Sequence, residues 1–144
     1  MQSTQNMQER VLKTLEYDKI RGELKLRASC CISRELAEAI MPSSDFDEVQ
    51  RQLMLTGEAE TLVYRTGQSP VDDFPDMRQC LKRIHAALFV SPGELLGIAK
   101  CLRAARVARE LLTKENEESL LYNLASFLTV HRSVEEEISR CIIS

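Results

Sequence analysis

The chain has 144 residues, with 19 lysines and arginines against 22 aspartates and glutamates, a formal net charge of −3, and 44% apolar and 28% charged residues. That is one domain's worth of sequence with enough apolar material for a core, and no apolar run approaches the roughly 18 residues of a membrane-spanning helix. The mildly acidic balance argues against an autonomous nucleic-acid clamp, although a local basic patch remains compatible with it.

The opening MQSTQNMQER has no apolar h-region behind a basic start, so no targeting signal is read and a cytoplasmic location is expected by default. Cys30, Cys31, Cys80, Cys101 and Cys141 are odd in number and read as small buried apolar residues of a reducing compartment, without disulfides. Few glycines, prolines and aromatics beside abundant Leu, Ala, Glu and Arg predict an all-α fold. About seven helices are expected, packed as an antiparallel bundle in a single domain over residues 1–144.

The first helix is read from Asn6, with Glu9 completing a capping box, to near Tyr17, and carries Met7, Val11, Leu12 and Leu15 on one face. Asp18 is the expected cap of a second helix with Ile20, Leu24 and Ala28 inward. Ser33 is the expected cap of a third with Leu36, Ala37 and Ile40, stopped by Pro42. These two short helices are expected to form a hairpin. Ser44 and Asp45 offer caps for a long helix through Arg65 whose face is Phe46, Val49, Leu53, Thr56, Ala59 and Val63, with Gly67 as its C-cap.

Residues 67–76, GQSPVDDFPD, have two prolines and no helical period and read as a loop. Asp76 then caps a helix carrying Met77, Cys80, Leu81, Ile84 and Leu88, followed by extended Phe89-Val90. Ser91-Pro92-Gly93-Glu94 is the strongest helix start in the chain, combining a capping box with proline where a missing N–H is harmless. That helix is expected to run to about Lys114 with Leu95, Ile98, Leu102, Ala105 and Leu112 inward. After the polar KENEES link come a helix with Leu120, Leu121, Leu124, Phe127 and Leu128, and a last one from Ser133 with Ile138 and Ile142. It reaches the terminus without a stop signal, so the sequence reads as a cut piece.

The residues offer little chemistry. His85 and His131 lack an evident partner for nucleophilic or acid–base work, Cys30-Cys31 point to different sides of a helix, and no CxxC or HxxxH spacing occurs. The five glycines form neither GxxxxGK[ST] nor GxGxxG, so no nucleotide site is read. Asp72-Asp73 lack a third carboxylate at a fixed offset and read as solvated loop charges, and Glu135-Glu136-Glu137 suit the first turn of a helix. One feature stands apart: Lys100, Arg103, Arg106 and Arg109 recur every third position, a basic stripe that suits phosphate contact. Its structural alternative is a solvated face screened by Glu110 and neighbouring acidic helices.

Four segments, VLKTLEYDKI (11–20), MPSSDFDEV (41–49), FPDMR followed by LKR (74–83) and VSPGELLGIAKCLRAAR (90–106), resemble in order and spacing the amino-terminal region of the second-type MutS family of bacteria. The resemblance implies the first part of a MutS core and lever: helices joining DNA- or ribosome-embracing arms to a carboxy-terminal ABC-type ATPase, often followed by an Smr nuclease domain. The implied parent is a homodimer acting on branched DNA, in mismatch-repair-like or anti-recombination roles, or rescuing collided ribosomes. It would hold ATP and Mg only in the ATPase region, the implied partner of this segment, leaving no catalytic, cofactor or metal residue here. The resemblance also implies that Leu15, Tyr17, Ile20, Leu36, Phe46, Leu95 and Leu102 are buried structural positions. The chain departs from the family in having Asp72-Asp73 in place of a Gly-Gly pair, Ala87-Leu88 where a glycine precedes the Ser-Pro cap, and Ser33 for a common glycine.

The competing expectation is a free-standing helical interaction module that binds a partner through an exposed apolar face. An excised lever should instead leave a large apolar patch where the rest of its core is lost, for which Leu120, Leu121, Phe127, Ile138, Ile142 and Ile143 are the first candidates. A small helical hydrolase ranks last, because it needs a pocket with a perturbed carboxylate or histidine.

Overall fold

The computed structural model describes residues 10–71, 73–114 and 117–142. The expected opening at Asn6, Asp72 and Ile143 lie outside them. The fold is all-α, as the composition requires, with no strand among the described residues. After a helical stretch over residues 10–14 come α1 (Tyr17–Arg27), α2 (Cys31–Ala39), α3 (Phe46–Thr66), α4 (Arg78–His85), α5 (Pro92–Leu112), α6 (Leu120–Ser126) and α7 (Arg132–Ile142). The sequence reads as one helical domain; contacts cluster within two compact units, Met1–Pro42 and Ser43–Ser144. No described helix is long and apolar enough to cross a membrane.

In the first unit α1 and α2 pair as the expected hairpin. Lys25 and Glu38 form an ion pair across it, and Arg21 Nη1 donates to the Glu38 carbonyl at 3.0 Å. The caps differ from expectation. Glu16, at φ 51, breaks the chain into α1 without a side-chain cap, which leaves Asp18 inside the first turn paired with Arg21. Cys30, not Ser33, is the N-cap of α2: its sulfur accepts from the Ser33 N–H, and Ser33 Oγ accepts from the Cys30 N–H at 3.2 Å. Among the described residues of this unit only Cys30 and Ala37 are buried, whereas Leu15, Ile20, Leu24, Leu36 and Ile40 are exposed. Two short helices have one mutual face, and among the described residues nothing in this unit covers the rest.

In the second unit Asp45 caps α3 by accepting from the Asp47 and Glu48 amides, and Gly67, at φ 66, closes it. Met77 precedes α4 without a side-chain cap, but Asp76 Oδ1 accepts from the Arg78 amide at 2.9 Å, so the expected capping residue acts one position early. Residues 75–77 then lie against α5, where a Cβ on Gly97 would stand 3.1 Å from Met77 Cε and 3.2 Å from Pro75 Cγ. The Ser91–Glu94 capping box forms as expected, with the Ser91 N–H donating to Glu94 Oε2 at 2.9 Å.

Helix α4 ends at His85, earlier than the apolar spacing suggests, because the chain turns there through a Schellman motif. The Leu88 N–H donates to the Arg83 carbonyl and the Ala87 N–H to the Ile84 carbonyl, both at 2.9 Å, with Ala87 in the left-handed region at φ 53. A Cβ is disfavoured there. Ala87→Gly is expected to stabilise the chain by about 0.5–1 kcal/mol, read as a raised denaturation midpoint. An unchanged or lowered midpoint would mean that the turn does not adopt this conformation.

The core of this unit is Leu62, Leu112 and Ala125, with Leu111 and Leu121 packed on it. It joins α3, α5 and α6, while α7 packs along α5. Helix α5 buries its alanines, Ala99, Ala104 and Ala108, together with Leu112; Leu95, Ile98, Leu102 and Ala105 are half-buried. Of the positions expected to be buried, Phe46 is 73% exposed, and Leu53, Leu81, Leu88 and Phe127 are exposed as well. All five cysteines are free thiols, and only Cys30 and Cys80 are buried.

Candidate nucleic-acid interface

The four basic residues of the stripe lie on α5 but do not behave alike. Helix α7 runs antiparallel beside α5 and sets Glu135, 5% exposed, against the stripe. Arg106 donates from Nε to Glu135 Oε2 at 3.0 Å and from Nη2 to Oε1 at 3.2 Å, and its Nη1 reaches Glu110 at 3.2 Å. Arg103 donates only from Nε, to Glu135 Oε1 at 2.9 Å. Lys100 stands 3.8 Å from Asp73 in the loop before α4, and Arg109 is half-buried without an ion pair among the described residues.

This geometry explains the electrostatics. Charge-assisted hydrogen bonds from Arg106, opposed by desolvation and aided by those from Arg103, hold the Glu135 carboxyl well below the usual range, at about 2. Glu135 in turn pushes the Arg106 guanidinium upward, with Glu110 second. A buried carboxylate with two guanidiniums is satisfied and ionised, so the cluster fixes α7 to α5. The expected screening by Glu110 and a neighbouring acidic helix is therefore present for Arg106, with Glu135, a residue not named for that role in the sequence, as the stronger partner. A signal for it exists: Glu135, Ile138 and Ile142 share one helical face, so a carboxylate stands in an otherwise apolar inward row.

A second carboxylate escapes the sequence reading in the same way. Glu58 of α3 accepts the Leu120 and Leu121 amides of α6 at 3.2 and 3.0 Å, while Ser119 Oγ accepts from the Tyr122 amide at 3.0 Å. Thus α6 is capped partly from another helix. His85 and His131 are exposed, at the end of α4 and just ahead of α7. Among the described residues, no three His, Cys, Asp or Glu side chains group as metal ligands.

No protein-family model matches the chain. It is 34% identical to the Endonuclease MutS2 of Clostridioides difficile (strain 630), with 96% of the chain and 18% of that relative covered. Identity is 33% to the Endonuclease MutS2 of Ruminiclostridium cellulolyticum, again over 96% of the chain and 18% of the relative, and 35% to that of Geobacillus thermodenitrificans over 94% and 18%.

This chain is a segment of the MutS2 type. It spans 18% of the length of these relatives, which are named endonucleases. The MutS2-type similarity runs across both compact units, so the hairpin of α1 and α2 and the Glu135 cluster fall within the matched region.

Proposed function

We propose that this MutS2-type segment is a helical core and lever piece: a stiff connector that links nucleic-acid-contacting parts to a carboxy-terminal ATPase region. The observation that carries the reading is the coupling of α5, 21 residues and about 31 Å long, to α7 through the Glu135 carboxylate and two arginines. A long helix locked to its neighbour by a buried charge cluster moves as one body, which is what transmission of a nucleotide-driven shift requires. Exposed Phe46, Leu53, Phe89 and Phe127 fit a segment that rests against further protein. They fit the alternative, a helical interaction module, equally, and lock-step movement of α5 with α7 is what separates the two.

On this reading the ATP and Mg sites, the nuclease activity and the dimer contacts belong to other parts of a MutS2-type protein. The target is branched DNA or the ribosome, approached through phosphates. The test is binding of the 144-residue chain to a four-way DNA junction and to ribosomes across a salt series, with ATP turnover measured alongside. Expected is binding without turnover whose logarithm falls linearly with the logarithm of salt. Turnover by the chain, or no binding to either target, would overturn the nucleic-acid part of the reading.

A further inference from the structure

The stripe on α5 is uniform in sequence and unequal in structure. Arg106 has all three nitrogens engaged by Glu135 and Glu110 and is committed to holding α7. Arg103 is anchored by Nε alone, so its two terminal amino groups have no partner among the described residues while the side chain stays 65% exposed. One helical turn earlier lies Lys100, also exposed. Between α5 and α7 these two side chains line a concavity of about 170 Å³ with Leu96, Ala99 and Ser139.

We propose that this concavity is a phosphate site for a nucleic-acid backbone, with Lys100 and Arg103 as its contacts and Glu135 as the residue that positions Arg103. The inference rests on the nucleic-acid reading given above and narrows it to two residues of the stripe. A guanidinium held at Nε presents its outer N–H groups in a fixed plane, the fork that matches phosphate oxygens. The ammonium of Lys100 adds a point charge from the adjacent turn. A volume of this size holds about five waters, enough for a tetrahedral phosphate group.

The negative groups nearby do not close the site. Glu135 is buried with both carboxylate oxygens bonded to the arginines, Glu110 faces Arg106, and Asp73 meets Lys100 only as a screened surface pair that a phosphate displaces. Arg106 is thereby excluded as a contact, which separates this proposal from one in which the whole stripe binds.

The experiment compares the 144-residue chain with Lys100→Ala and Arg103→Ala in binding a four-way DNA junction over a salt series, with thermal melts of each protein. Expected is a several-fold loss of affinity for each, with the salt slope reduced by about one per contact, and unchanged melting for Lys100→Ala. Glu135→Gln, which keeps one carbonyl oxygen able to accept from the Arg103 Nε–H, is expected to retain more affinity than Glu135→Ala. If the wild-type chain binds and both substituted chains match it in affinity and slope, the site is overturned while the nucleic-acid reading stands. If the wild-type chain does not bind the junction, the site falls with that reading. Should Arg103→Ala melt early, Lys100→Ala alone decides, because among the described residues Lys100 makes only the surface pair with Asp73.

Discussion

Leu62→Ala is expected to cost about 3 kcal/mol, the largest loss among single core truncations in the second unit. Leu62 is 1% exposed, and its side chain lies where α3, α5 and α6 meet, against Leu112, Ala125, Leu111 and Leu121. Truncation removes the transfer free energy of the deleted atoms and leaves a cavity that three helices close only in part. Chemical denaturation reads it as a lowered midpoint at unchanged slope. Leu53→Ala on the same helix is the control: Leu53 is exposed, and its loss is expected to stay within about 0.5 kcal/mol. Equal costs at the two positions would mean that α3 packs through a different face.

Glu135→Ala is expected to cost about 2 kcal/mol, because it removes three charge-assisted hydrogen bonds and leaves Arg106, only 20% exposed, without its main partner. The cost stays below that of breaking a fully buried pair, since Arg103 returns to water. The pH dependence has a definite sign. The folded carboxyl titrates at about 2 against an ordinary value of 4.5, so the unfolded chain binds more protons between those values. Its stabilisation is complete above the ordinary value and is lost as the pH falls from about 5 towards 2. Asp76, held at about 2 by hydrogen bonds from Arg78, contributes in the same window. The diagnostic is therefore the difference between the wild-type chain and Glu135→Gln, which should shrink through that range. A difference independent of pH would show that Glu135 acts by shape and not by charge.

Loss at Glu135 and loss at Leu62 also test different links in the proposed lever. Leu62 holds the three-helix junction, whereas Glu135 ties α7 to α5. A chain with Glu135→Ala that retains most of its stability but moves α7 independently would lose transmission without losing the fold.

Much of the fold is legible along the chain. Asp45, Ser91 and Gly67 mark helix ends because their chemistry is local: a side-chain oxygen reaches an amide two or three residues on, and glycine accepts a positive φ. The hairpin of α1 and α2 follows from two short helices separated by a brief link. Caps fail where several residues compete. Cys30 takes the role expected of Ser33, since a thiol also accepts an amide, and Glu16 breaks the first helix ahead of Asp18.

Faces are less legible than ends. On α3 the expected face is Phe46, Val49, Leu53, Thr56, Ala59 and Val63, of which Val49 and Ala59 are half-buried and the rest exposed. The buried or half-buried row in its later turns is Leu55, Glu58, Ala59, Leu62 and Thr66. Apolar residues stand on several sides of α3, so periodicity admits more than one face, and the position of α6 selects among them. On α5 Leu95, Ile98 and Leu102 are half-buried while Ala99, Ala104 and Ala108 are buried, because small side chains let helices approach closely. The fully buried Ala125 of α6 is likewise overlooked beside its larger neighbours Leu124 and Phe127, which are exposed.

What the sequence determined by itself is the all-α class, the order of the helices, the ends marked by Asp45, Gly67 and Ser91, and the MutS2-type kinship, since each depends on residues close together in the chain or on their order. The tertiary structure alone decided which faces are buried and how the basic stripe is divided. Glu135 lies 32 residues beyond Arg103 and 29 beyond Arg106, and Glu58 lies 62 before Leu120. No local spacing rule reaches so far. Whether a charge is spent on a neighbour or left facing water depends on which helix packs beside it, and only the fold sets that.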